Sequence, residues 1–143
     1  MSTDHETIFI AAPPSTVWAT LTDFARWPEW TPLTVAAVEP LDDGPPRVGS
    51  RVRIKLRKVP PSVWRVTRFE QGRSFTWETE SGVKASGEHT ITPEDGGTRV
   101  ELTATTSGLL AALFLPFSWL TTRGNVRKEA EGLKAYCERV VAP

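Results

Sequence analysis

Two histidines are the side chains of this sequence best suited to proton transfer near neutral pH. His5 lies close to the N-terminus, whereas His89 lies in an alternating run and shares its parity with Ala85, Gly87 and Ile91. An imidazole titrates near neutral pH, so His89 is a candidate acid or base. Two other roles stay open for His89: a histidine hydrogen-bonded within the core, and an orienting contact to a ligand oxygen.

The other reactive side chains favour structural roles. Glu29, between Trp27 and Trp30, is placed either to face a substrate or to be an exposed turn carboxylate, and we favour the second; Asp23 is expected to cap a turn. The chain has one cysteine, Cys137, and no His-x-Glu or Cys-x-x-Cys spacing, so it lacks the ligands of a metal site. No glycine-rich loop is placed to hold nucleotide phosphates. We therefore expect no metal and no cofactor.

Alternating residues predict the strands that must position His89. Arg51 to Arg57 places four cations on one side and three aliphatic residues on the other, as the two-residue period of a strand requires. Shorter alternating runs follow at residues 64–66, 75–78 and 100–104. Turn residues separate these runs, so the pattern predicts an antiparallel meander.

Helices are predicted at both ends of the chain. Pro14 suits the first turn of a helix, where its missing N–H is not needed, and Val17 and Leu21 then share one face. Residues 109–139 have mostly helical periodicity, and Pro116 is expected either to kink this long helix or to divide it in two. Strands bracketed by helices indicate an α+β fold in a single domain, residues 1–143.

Charge limits the choice of partners. The 17 cationic and 17 acidic side chains balance, so no global field draws the protein to nucleic acid or to an anionic membrane. The strand from Arg51 to Arg57 does carry a cationic stripe on one face. Carboxylates with the same outward parity, Glu78, Glu80, Glu88 and Glu101, are available to pair with it. Ion pairing or solvation therefore explains the stripe better than phosphate binding.

Three further expectations concern location and assembly. The apolar residues 109–120 are too few to span a bilayer and predict a buried helix, with an interfacial membrane contact as the alternative. The lone cysteine and the lack of a signal-peptide pattern predict a cytoplasmic protein. The edge strands permit a homodimer, although Pro61 would blunt one edge and leave a monomer.

The order of short motifs along the chain resembles that of a known superfamily. In chain order these motifs are Ile8-x-Ile10-x-Ala12-Pro13, Val17-Trp18, Leu21-x-Asp23, Trp27-Pro28-x-Trp30, Gly49-Ser50, Gly97-Thr98-Arg99-Val100 and Ser107-Gly108, followed by an amphipathic helix. Over roughly residues 5–139 the chain resembles the SRPBCC superfamily, the START-like helix-grip domains that include polyketide cyclase/dehydrase-like proteins and the birch-pollen-allergen type. The resemblance implies two short helices after the first strand and a curved antiparallel sheet of six or seven strands. The sheet would wrap around a long C-terminal helix and enclose a hydrophobic cavity.

The resemblance and the strand parity together predict the wall of this cavity. The wall should lie opposite the cationic stripe, with aromatic residues guarding one end and the C-terminal helix closing the other side. The sheet would contribute Ile54, Leu56, Trp64, Val66, Phe75, Trp77, His89 and Leu102; the guarded end, Phe24, Trp27 and Trp30; and the helix, Leu113, Phe117 and Leu120. Each of these aromatic rings also suits ordinary core packing.

Three functions are compatible with such a fold. We favour binding or transport of a hydrophobic small molecule, such as a lipid or a polyketide. The alternative is a polyketide cyclase or dehydratase that uses His89 as acid or base, which is weaker because only one candidate acid–base residue is visible. The third is a non-catalytic interaction or stress-response module whose cavity is filled by its own side chains. We therefore favour a binding protein over an enzyme.

Overall fold

Seven antiparallel strands form one sheet, in the spatial order β1-β7-β6-β5-β4-β3-β2. The computed structural model describes residues 2–32, 34–57, 60–81, 84–107 and 115–141. The strands are β1 (Ser2–Ile10), β2 (Val35–Pro40), β3 (Arg51–Leu56), β4 (Ser62–Glu70), β5 (Ser74–Thr79), β6 (Lys84–Glu94) and β7 (Gly97–Ser107). The sheet is curved, and the predicted α+β helix-grip fold is confirmed.

Two short helices follow the first strand, as predicted. Helix α1 spans Pro14–Thr22 and begins at the expected proline, with Val17, Trp18 and Leu21 buried. A 3₁₀ turn (Phe24–Arg26) leads directly into α2 (Trp27–Trp30). Asp23 stands at the N-cap position of this turn, as expected, but its side chain makes no capping hydrogen bond. Instead, its main-chain carbonyl accepts the bond from the Arg26 N–H.

The outer face of the sheet is charged and internally paired. Arg51 donates from Nε and Nη2 to the two carboxylate oxygens of Glu80, at 2.7 and 2.8 Å. Arg53 pairs with Glu39, and Arg57 donates to the main-chain oxygen of Pro32. These three cations of the stripe therefore have protein partners on the same surface.

The long helix α3 spans Leu115–Val141 and packs mainly on β1. It is continuous through Pro116, which stands at its second described residue, where an absent N–H breaks no intrahelical bond. Residues 108–114, on the other side of this proline, lie outside the described part of the chain, so the choice between a kinked and a divided helix stays a prediction. None of the described helices is both long and apolar enough to cross a membrane.

Two contacts fix α3 against the rest of the molecule. The Lys134 ammonium donates to the main-chain oxygen of Phe9 at 3.0 Å, and the Glu138 carboxylate accepts from the Ala11 N–H at 2.8 Å. On its other side the helix approaches α2 so closely that a Cβ added at Gly132 would lie 2.0 Å from the Trp30 carbonyl oxygen. Glycine is therefore required where the two elements meet.

Candidate functional site

On the inner face of the sheet, side chains from neighbouring strands lie side by side in rows. Antiparallel pairing places Phe75 opposite His89 and His89 opposite Leu102, so one row crosses three strands. The adjacent row contains Trp77, Gly87 and Ala104. Phe75, Trp77, His89 and Leu102 are all buried, as strand parity predicted.

Aromatic rings from the 3₁₀ turn and α2 pack onto these rows. Phe24 contacts Phe75 and Trp77 with ring centroids 5.4 and 5.1 Å apart. Trp27 lies 4.9 Å from Trp77 and 5.4 Å from His89. We call Phe24, Trp27, Phe75, Trp77 and His89 the aromatic cluster. It closes the space between the sheet and the 3₁₀ turn with its own rings.

The aromatic residues that were expected to guard an opening lie beneath the surface. Trp27 is 2% exposed and Trp30 is 4% exposed, and their rings contact each other at 4.6 Å. The Trp27 indole N–H donates to the main-chain oxygen of Leu21 at 2.9 Å. Both tryptophans therefore form an inner wall at this end of the sheet.

His89 is held in one orientation inside the cluster. Its ring stacks on Phe75 at 4.2 Å with an interplanar angle of 13°, and Nδ1 lies 3.3 Å from the Phe75 carbonyl oxygen. A carbonyl can only accept, so this hydrogen bond needs the proton on Nδ1 and leaves Nε2 with a lone pair. Burial lowers the pKa of His89 to about 4, with the Phe75 bond opposing the shift. The imidazole is therefore neutral at pH 7.

Gly87 makes room for this arrangement. It faces inward between Trp77 and Ala104, and a Cβ at this position would lie 3.0 Å from Trp77 Nε1 and 3.4 Å from His89 Cε1. A glycine here lets the indole settle against the sheet beside His89.

Sequence reasoning missed one polar group on the helix that packs on the sheet, Glu129 on α3. It stands three residues after Val126 and four before Leu133, both buried, so it lies on the flank of the inward stripe. Although its side chain is only half-buried, desolvation raises the pKa of Glu129 to about 8, which favours the protonated carboxyl at neutral pH. It has no hydrogen-bond partner among the described residues. Glu129 can be recognised only after the buried positions of α3 are known.

The remaining predicted wall residues fall into three groups. Ile54 and Val66 are buried on the inner face, whereas Leu56 and Trp64 are half-buried and pack against the core. The Trp64 indole N–H donates to Ser62 Oγ at 2.9 Å. Leu113 and the side chains of Phe117 and Leu120 lie outside the described part of the chain.

The described residues show no cluster of three or more His, Cys, Asp or Glu side chains able to hold a metal ion. Cys137 is fully buried on α3, and burial raises the pKa of its thiol, which disfavours the reactive thiolate. The site can therefore supply an apolar wall, a hydrogen-bond acceptor at His89 and a hydrogen-bond donor at Glu129.

Comparison with known proteins identifies relatives by family and by fold. A family model described as "Polyketide cyclase / dehydrase and lipid transport" matches residues 3–138. No curated protein sequence matches the chain significantly. Among solved structures, the Zhui aromatase/cyclase from Streptomyces sp. R1128 has a TM-score of 0.81 and 20% identity, covering 99% of this chain and 96% of that one.

Two further structures share the fold. A protein from Thermus thermophilus has a TM-score of 0.80 at 17% identity and covers 99% of this chain and 100% of its own. A START superfamily protein from Mycobacterium smegmatis has a TM-score of 0.76 at 16% identity, with 97% and 99% covered. At these identities the likeness concerns the fold alone.

Proposed function

The chain belongs to the family of polyketide cyclase / dehydrase and lipid transport proteins, and on that premise we propose that it binds a neutral hydrophobic small molecule carrying an oxygen function. The ligand lies between the inner face of the sheet and α3. His89 receives a hydrogen bond from a ligand hydroxyl, and Glu129 donates one to a ligand carbonyl.

The observation that carries this proposal is the state of His89. The ring is 4% exposed and surrounded by aromatic side chains, and its Nε2 has no hydrogen-bond partner among the described residues. A ligand hydroxyl that donates to the Nε2 lone pair forms a hydrogen bond among apolar neighbours, which makes this atom a suitable anchor.

The charge state of both groups supports a neutral ligand. His89 is uncharged at pH 7 and Glu129 is largely protonated, each because burial disfavours its charged form. An environment that excludes charge on its own side chains also penalises a ligand carboxylate or phosphate. Alcohols and ketones on a hydrocarbon skeleton therefore fit better than fatty acids.

The second candidate function is cyclase-type proton transfer, with His89 Nε2 removing a proton from a carbon next to a carbonyl. Its neutral imidazole and free lone pair favour this role. A general base works best when its pKa lies near the operating pH, and about 4 is far below neutrality, so the imidazolium that forms would be poorly stabilised. Binding is therefore the stronger proposal.

Native mass spectrometry of the purified protein beside a denatured control tests for a co-purifying molecule. Thermal shift then compares three ligands of equal chain length: 1-dodecanol, 2-dodecanone and dodecanoate. A ligand present at about 100 times its Kd stabilises by about 2.7 kcal/mol, or roughly 5–10 °C in a chain of this size. We expect the alcohol and the ketone to shift Tm and dodecanoate to fail.

Two variants separate the roles of the two polar groups. His89→Phe should weaken binding of the alcohol about tenfold, the contribution of one hydrogen bond, and leave binding of the ketone unchanged. Glu129→Leu should do the reverse. His5→Asn, on the exposed outer face, is the matched control and should change neither. If native mass spectrometry finds no bound molecule and no ligand shifts Tm, the proposal fails. The non-catalytic module whose cavity is filled by its own side chains is then the remaining function.

A further inference from the structure

A depression in the protein surface lies beside the aromatic cluster. It has a volume of about 220 Å³ and is bordered by the 3₁₀ turn on one side and by the loop of residues 41–50 on the other. Phe24 and Val52, both buried, are among its lining residues. The loop contributes Asp42, Gly44, Pro46 and Ser50, and Ala25 belongs to the opposite side.

Phe24 connects this depression with the rings that surround His89. It lines the depression and also contacts Phe75 and Trp77, with centroids 5.4 and 5.1 Å away. Those two rings in turn contact His89 at 4.2 and 5.4 Å. Displacement of the Phe24 ring therefore connects the outside with the interior of the aromatic cluster.

The loop beside Phe24 is attached to the sheet near its ends. The Leu41 N–H donates to the Arg51 oxygen, and the Gly49 N–H donates to the Val66 oxygen at 2.8 Å. Between these points Arg47 bonds within the loop, to the main-chain oxygens of Asp43 and Pro45. The Asp42 carboxylate also accepts from the Arg51 N–H at 2.6 Å, so the loop is held as one wall of the depression.

We propose that ligand reaches the inner face through this depression, with Phe24 as the gate and the loop 41–50 as the opposite wall. The inference rests on the proposed function, because a gate needs a ligand to admit. A larger groove of about 350 Å³, between α1 and the C-terminal end of α3, is the competing route. Trp30 is its only lining residue that contacts the aromatic cluster among the described ring pairs.

The test compares two crosslinked proteins with the wild type. Ala25→Cys with Pro46→Cys allows a short bismaleimide to bridge the depression, and Ser15→Cys with Val140→Cys bridges the competing groove. Cys137 is fully buried and stays unmodified in the folded protein. Mass spectrometry verifies each crosslink, and stopped-flow fluorescence then follows uptake and release of the neutral dye N-phenyl-1-naphthylamine.

We expect the Ala25–Pro46 crosslink to slow dye uptake and release at least about tenfold, and Phe24→Leu to accelerate both by a similar factor. The Ser15–Val140 crosslink should leave both rates within about twofold of the wild type. Dye that binds all proteins at equal rates, or is slowed only by the second crosslink, overturns the portal and leaves the proposed function standing. Absence of dye binding to the wild type contradicts the proposed function and the portal together.

Discussion

The inner face of the sheet has two halves that differ in how they are filled. The aromatic cluster occupies one half, where the rings contact each other and His89 bonds to the main chain. The other half, which we call the helix half, is formed by β1 and β7, the strands that α3 contacts, and by α3 itself. Its strands bring two acids, Asp4 and Glu6, to the inner face beside Ile8, Val100 and Ala104, and α3 contributes Glu129.

The difference shows how one inner face can serve both stability and recognition. The aromatic cluster buries large apolar area with few polar atoms, which is the arrangement that stabilises a fold. In the helix half, Asp4 Oδ2 is buried without a hydrogen-bond partner among the described residues, and Glu129 is kept protonated by burial. Such groups destabilise the free protein and become useful when a ligand bonds to them.

The largest effect should come from removing a ring of the aromatic cluster. Trp77→Ala deletes a side chain that is 4% exposed and contacts Phe24, Trp27 and Phe75. We expect a loss of about 3–5 kcal/mol in the free energy of unfolding, or roughly 10 °C or more in Tm. Val48→Ala, at a position 61% exposed, is the control and should cost less than about 0.5 kcal/mol. Similar losses for both variants would contradict the role given to the cluster.

Acid should destabilise the protein through His89. The folded pKa of about 4 lies below the ordinary value of 6.5, so between these pH values the unfolded chain binds the proton and the folded one does not. The free energy of unfolding should therefore fall by about 3 kcal/mol as pH decreases from 6.5 to 4. Urea unfolding at several pH values measures the slope, which His89→Asn should flatten and His5→Asn should leave unchanged.

Strand parity was sufficient to place His89 because a two-residue period assigns each side chain to one face. The start of α1 at Pro14 followed equally from a local rule, the preference of proline for the first turn of a helix. Strand β2 was not identified, because its register shifts between Val35 and Ala37 and its buried positions do not alternate. A bulge removes the only pattern by which so short a strand is recognised.

Properties that depend on tertiary packing could not be predicted. The spacing of Trp27 and Trp30 puts both rings on one side of α2, but it does not say whether that side faces solvent or the sheet. In the sequence Glu129 likewise does not differ from any other helical glutamate, and only the packing of α3 on β1 sets it apart. Its neutrality is a property of that packing, since burial alone raises its pKa.

An intermediate effect is expected in the helix half, with the opposite pH dependence to that of His89. The Glu129 pKa of about 8 lies above the ordinary 4.5, so the folded state holds the proton between these values and stability falls as pH rises through that range. Because the side chain is only half-buried, we expect a loss of roughly 2 kcal/mol from pH 5 to pH 8. Glu129→Gln should remove this loss. If the free energy of unfolding of the wild type and of Glu129→Gln changed in parallel with pH, the Glu129 carboxyl would be ionised in the folded protein over this whole range.

The smallest changes in stability are expected where the aromatic cluster meets the helix half. Gly87 and Ala104 are cross-strand neighbours on the inner face, and Gly87 lies against the Trp77 and His89 rings. Gly87→Ala should cost about 1 kcal/mol, because the added methyl lies 3.0 Å from Trp77 Nε1 and the indole must shift. Ala104→Val should change stability by less than about 0.5 kcal/mol, since a β-branched residue suits a strand. Its added methyls reduce the space beside α3, so it should weaken dodecanol binding that Gly87→Ala retains. Equal stability losses and equal binding would mean that the two halves form one continuous packed core.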